Sequence, residues 1–114
     1  MKHCINIIIS AKDYQNYNLL IVINKFSDSS MFLNIVNEDE NKLITAEEIK
    51  NKHLLNIINA FLADAKNNQY DLKNSDYSEL FIKYVELITY FIISSCFNAS
   101  LLYEDITLID IKEH

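Results

Sequence analysis

The chain has 114 residues, the size of one domain, and 50% of them are hydrophobic, enough to fill one core. It contains no glycine, no proline and no arginine. That excludes Walker loops, dinucleotide fingerprints and nucleophile elbows, which need glycine near phosphate or at a strained turn, and it excludes bidentate guanidinium clamps. With Asp+Glu 16 against Lys+Arg 10 and a net charge of -6, sequence-independent nucleic-acid binding is disfavoured and a basic partner is expected.

Taken in chain order, residues 4–10 alternate with period two, Ile5, Ile7 and Ile9 opposite Cys4, Asn6, Ile8 and Ser10, which predicts a half-buried strand. Residues 19–26 are apolar on both faces until Asn24 and include the β-branched run Ile21-Val22-Ile23, the pattern of a central strand covered on two sides. Residues 31–37 alternate again, with Met31, Leu33 and Ile35 opposite Phe32, Asn34 and Val36. The connecting segments turn with Asp, Asn and Ser in place of glycine, so the three strands are expected to form an antiparallel meander.

The period then changes. Thr45 followed by Glu48 reads as a capping box, with Ile44 and Ile49 as a hydrophobic staple, and predicts a helix over 46–66. Its apolar stripe would be Ile49, Leu54, Ile57, Ile58, Phe61, Leu62 and Ala65. Asp76 with Glu79 gives a second start signal, for a helix from Tyr77. Residues 87–103 carry no formal charge and reach the short limit of a membrane span. Ser94, Ser95, Asn98 and Ser100 interrupt the stretch, Glu86 precedes it and no basic cluster flanks it, so a central helix buried on several sides is expected, and no membrane partner. Residues 106–111 are rich in β-branched side chains and predict a last strand, within the sheet or on its edge. The whole chain, 1–114, is expected to form a single α+β domain: a mainly antiparallel sheet, from the N-terminal three-strand meander plus the C-terminal strand, packed by two helices.

Few residues point to chemistry. His3, Cys4, His53, Cys96 and His114 are potential metal ligands, but their spacings match no zinc pattern, so neither metal nor cofactor is expected. The apolar run at 7–9 is too short for a secretion signal, which makes the cytoplasm the expected compartment and reduced thiols the expected state of Cys4 and Cys96. Burial in an apolar helix should raise the Cys96 thiol pKa and leave it inert. The carboxylates at 38–40, 47–48, 71, 76, 79, 104–105 and 110 are accounted for by solvated turns and helix starts. With no catalytic set in sight, the chain is not expected to be an enzyme.

Aromatics beside acids are the most suggestive surface material: Asp13 and Tyr14 with Tyr17, and Tyr70 and Asp71 with Asp76 and Tyr77. Tyrosine provides contact area at small entropic cost, and aspartate pairs with lysine or arginine on a partner, so these seven are the expected protein-binding residues. In the competing structural reading, Tyr70 and Tyr77 pack over the end of the second helix.

The composition, heavy in Asn, Ile, Lys and Tyr, has the flavour of an AT-rich gene. In overall character, and in segments such as Asn37-Glu38-Asp39-Glu40-Asn41, the chain resembles bacterial immunity proteins of the contact-dependent growth inhibition type. The resemblance implies a stoichiometric inhibitor that neutralises a basic, nuclease-like toxin, and it carries no residue assignments. Two other functions are consistent with the residues: a viral or phage inhibitor of a host defence protein, and a small enzyme using scattered carboxylates.

Overall fold

The computed structural model describes residues 4–13, 18–67, 79–97 and 103–113. Strands β1 (Ile5–Asp13), β2 (Asn18–Ser27), β3 (Ser30–Asn37) and β4 (Lys42–Glu48) are followed by helices α1 (Lys52–Asn67) and α2 (Glu79–Phe97) and by strand β5 (Tyr103–Glu113). The strands form a five-stranded antiparallel sheet in the order β4-β3-β2-β1-β5. The fold is α+β, and its N-terminal strands form the expected meander. The last strand returns to pair with β1, on the edge of the sheet.

Period-two alternation sorts the strands onto two faces. On one face the register aligns Glu47, Leu33, Ile23, Ile7 and Ile111 in a row across the sheet, and Thr45, Ile35, Ile21, Ile9 and Leu108 in the next. Both helices lie on this face. Leu54, Ile58 and Phe61 of α1 and Phe81, Val85, Ile88 and Ile92 of α2 recur at three and four spacing and pack with the strand isoleucines into a single core. At its centre the Phe61 ring stands 4.8 Å from Phe81 and 6.2 Å from Tyr84.

The structure corrects the start of the first helix. Residues 45–48, predicted as the capping box and first turn, belong to β4, which runs from Lys42 to Glu48. The turn at 38–41 brings them back along β3: Asn41 takes the left-handed conformation (φ 52°), and the Asp39 N–H donates to Asn37 Oδ1 at 3.1 Å. Once the hairpin closes, pairing with β3 satisfies the backbone that a helix would otherwise have to satisfy. The Ile49 N–H still donates to Met31 O at 2.8 Å, so the ladder outlasts Glu48. Asn51 is the actual cap, its Oδ1 accepting from the His53 and Leu54 N–H groups at 2.9 and 3.2 Å. Ile49 is buried as expected, but from the segment before the helix.

Two expectations about cover are also corrected. β2 is central in the sheet, yet the helices cover only one of its faces, because both pack on the same side. Nor is α2 buried on several sides: Ile82, Leu87 and Tyr90 are exposed opposite its core stripe. Its hydroxyls are accommodated by back-bonding to the helix, Thr89 Oγ1 donating to Val85 O (2.7 Å), and Ser94 and Ser95 to Phe91 O (3.0 and 2.9 Å). Among the described residues, no helix is long and apolar enough to cross a membrane.

Candidate functional site

Both helices lie on one face of the sheet, and among the described residues no helix or strand covers the other. Here that face is apolar at its middle. Ile8 lies opposite Val22, and Leu20 opposite Val36, all four half-buried. Beyond them Phe32 meets Phe26 edge to face, ring centres 5.9 Å apart at 79°. Phe26 stands at a register shift near the end of β2, which turns its ring towards Phe32. These two rings are 48% and 42% exposed, and Leu43 on β4 is 61% exposed. Large apolar side chains grouped on one open face are the usual material of a contact surface.

Polar and acidic groups frame the apolar middle. Asn24 lies opposite Phe32, and Asn34 opposite Val22. On the β4 side Glu48 lies opposite Phe32, and on the β5 side Asp110 lies opposite Ile8 and Asp105 opposite Lys12. At a third corner, Asn18 Nδ2 donates to Asp39 Oδ1 at 2.9 Å, holding one acid of the Glu38-Asp39-Glu40 turn beside β2. Lys112 stands 3.9 Å from Asp110. An apolar centre with two aromatic anchors and a mostly acidic rim suits a partner that is apolar at its contact and basic around it.

Elsewhere a groove of about 810 Å³ runs beside α1, lined among others by Asn59, Leu62 and Lys66 of the helix and by Ile5, Ile111 and Glu113 of the sheet. The Lys25–Asp28 pair (2.9 Å) lines it too, and Asn59 Nδ2 donates to Asp28 O at 2.9 Å. Its mixed charges select no one class of ligand.

Burial, with the Glu47 carboxylate accepting a hydrogen bond from Sγ at 3.5 Å, pushes the Cys96 thiol up to about 11, away from the thiolate that nucleophilic chemistry needs. A hydrogen bond to Asp64 raises the Tyr84 hydroxyl. Cys4 donates to Asn6 Oδ1 at 3.2 Å, and both thiols are free. His53 lies exposed in the first turn of α1. Among the described residues, no three His, Cys, Asp or Glu side chains converge as a metal would require.

Of the seven residues expected from sequence to bind a partner, Asp13 closes β1, paired with Tyr103 after a register shift. Tyr14, Tyr17, Tyr70, Asp71, Asp76 and Tyr77 lie outside the described residues. The open-face residues were missed, although their signal was present. Leu20, Val22, Phe32 and Val36 occupy the alternate positions of two strands whose other positions already fill the core. Counting helices would have exposed the shortfall, since two helices cover one face of a five-stranded sheet.

No family model matches the chain, and neither a curated protein nor a solved structure matches it.

Proposed function

We propose that the chain is a stoichiometric protein inhibitor of the immunity type, binding a basic, nuclease-like toxin through the open face of its sheet. The observation that carries this reading is the apolar face anchored by Phe26 and Phe32 and rimmed by Glu48, Asp110, Asp105 and Asp39. An enzyme that cleaves nucleic acid must hold a positive cleft. A domain of net charge -6 is steered towards such a cleft, and the apolar middle supplies the desolvated contact that holds it there. The Cys96 thiol, raised by burial, is held in its unreactive neutral form, which suits a binding role.

The test is affinity purification from the native source at low salt, followed by expression of the captured protein alone and together with this chain. The reading requires a basic partner that is toxic by itself and neutralised at one-to-one stoichiometry. A partner that is neither basic nor neutralised, or turnover of a small molecule by the purified chain, would overturn it.

A further inference from the structure

β4 is an edge strand, and among the described residues no strand pairs with its outer side. The direction of its free groups follows from one hydrogen bond. Because the Ile49 N–H donates to Met31 O, strand alternation points the main chain of Glu47 and Thr45 at β3 and that of Ala46 outward. The register shifts between Ile35 and Val36, with Ile44 as the extra residue. It resumes with Leu43 opposite Val36, so Leu43 also directs its main chain to the open edge.

We infer that β4 pairs antiparallel with β4 of a second copy of this chain about a dyad at Thr45, joining the two sheets into one. In that register the outward main-chain groups of Ala46 meet those of Leu43 in the second copy, and Thr45 faces its own symmetry mate, a favourable cross-strand pair. Lys42 falls opposite Glu47 of the second copy. Both belong to the helix-side face, since Lys42 pairs with Asn37 and Glu47 with Leu33, so the two charges meet on one side of the joined sheet. The dyad makes this opposite-charge pair twice. Beyond the strand the same symmetry repeats: the turn Glu38-Asp39-Glu40 precedes β4, and Lys50 and Lys52 follow it, so antiparallel pairing brings each copy's acidic turn to the other's lysines.

This self-complementary order distinguishes β4 from the other edge. β5 carries Glu104, Asp105, Asp110 and Glu113 against the single Lys112, and pairing it with itself brings like charges together. In the single chain Lys42 pairs with Glu40 at 3.8 Å, with both side chains largely in water, so exchanging that contact for Glu47 of a second copy costs little. The pairing also covers the outer flank of Leu43, the most exposed large apolar side chain among the described residues.

Sedimentation equilibrium of the full chain over a concentration series tests this independently of any toxin. The expected result is a reversible monomer–dimer equilibrium. Lys42→Glu or Glu47→Lys alone should weaken the dimer by at least about tenfold, a loss of about 1.4 kcal/mol, and the double variant should recover it. Ala46→Pro removes only an outward N–H and should yield a folded monomer, as judged by an unchanged circular dichroism spectrum. A single-chain mass at every concentration would overturn the inference. So would a dimer that survives Ala46→Pro, or single and double charge reversals with the same effect.

Discussion

Phe61 is fully buried where α1 meets α2, its ring against Phe81 and Tyr84. Truncating such a ring removes its transfer free energy and leaves a cavity that the surrounding isoleucines only partly fill. Phe61→Ala should therefore destabilise the domain by about 3–5 kcal/mol in chemical denaturation, and a loss below about 0.5 kcal/mol, typical of uncommitted surface sites, would contradict the packing. Cys96 makes a test of a different kind. Its thiol is neutral in the fold until about pH 11, whereas the unfolded thiol titrates near its ordinary value of 9.0. Over that interval the unfolded chain binds fewer protons than the native one, so the stability that the neutral thiol contributes is complete below pH 9 and is lost as pH rises through 11. Cys96→Ala should flatten that part of a stability–pH curve, leaving the contribution of Tyr84, whose raised hydroxyl acts in the same direction. A native thiolate absorbance appearing near pH 9 at Cys96 would contradict the burial.

Two segments compete to start the first helix. The Thr45–Glu48 pair has the sequence of a capping box, while Asn51 has the geometry, accepting two backbone N–H groups. The two are separable by substitution. Asn51→Ala should cost about 0.5–2 kcal/mol by chemical denaturation, whereas Glu48→Ala, on an exposed strand position, should stay within about 0.5 kcal/mol. The reverse ranking would restore the helix to residue 46. Strands β1, β2, β3 and β5 were legible because their alternation or β-branched runs match the pleat. α2 was legible from the Asp76 and Glu79 start signal and from the uncharged run after Glu86. β4 was not, because Lys42-Leu43-Ile44-Thr45-Ala46-Glu47-Glu48 has neither period clearly and is extended only because β3 lies beside it.

At the scale of the molecule, the proposed function gives net charge and the open face separate roles in binding, and they can be measured apart. Association with a basic partner should slow as salt rises, since exposed charges are screened beyond about 8 Å at physiological ionic strength. Phe32→Ala should leave association nearly unchanged and speed dissociation, costing at least about 2 kcal/mol of affinity as a buried anchor does. Its folding stability should fall only by about the 0.5–1.5 kcal/mol of an aromatic pair. Surface plasmon resonance over a salt series resolves the two rates. If Phe32→Ala leaves the dissociation rate unchanged, the contact lies elsewhere on the molecule.

What the sequence determined by itself is what short-range physics decides. Without glycine or arginine it ruled out the phosphate-binding loops and guanidinium clamps. Its alternation and β-branched runs placed four strands, and its apolar stripe placed the core of the first helix. Its composition set the sign of its own net charge, -6. The tertiary structure alone decided that residues 42–48 are a strand, that α2 has one buried stripe, and that both helices cover the same face of β2. Each of these depends on which elements lie side by side. An apolar residue carries the same preference for burial whether a helix arrives to cover it or not, so the sequence shows the surplus of apolar positions on β2 and β3, and only the packing of both helices on the opposite side decides that Phe26 and Phe32 belong to the open face.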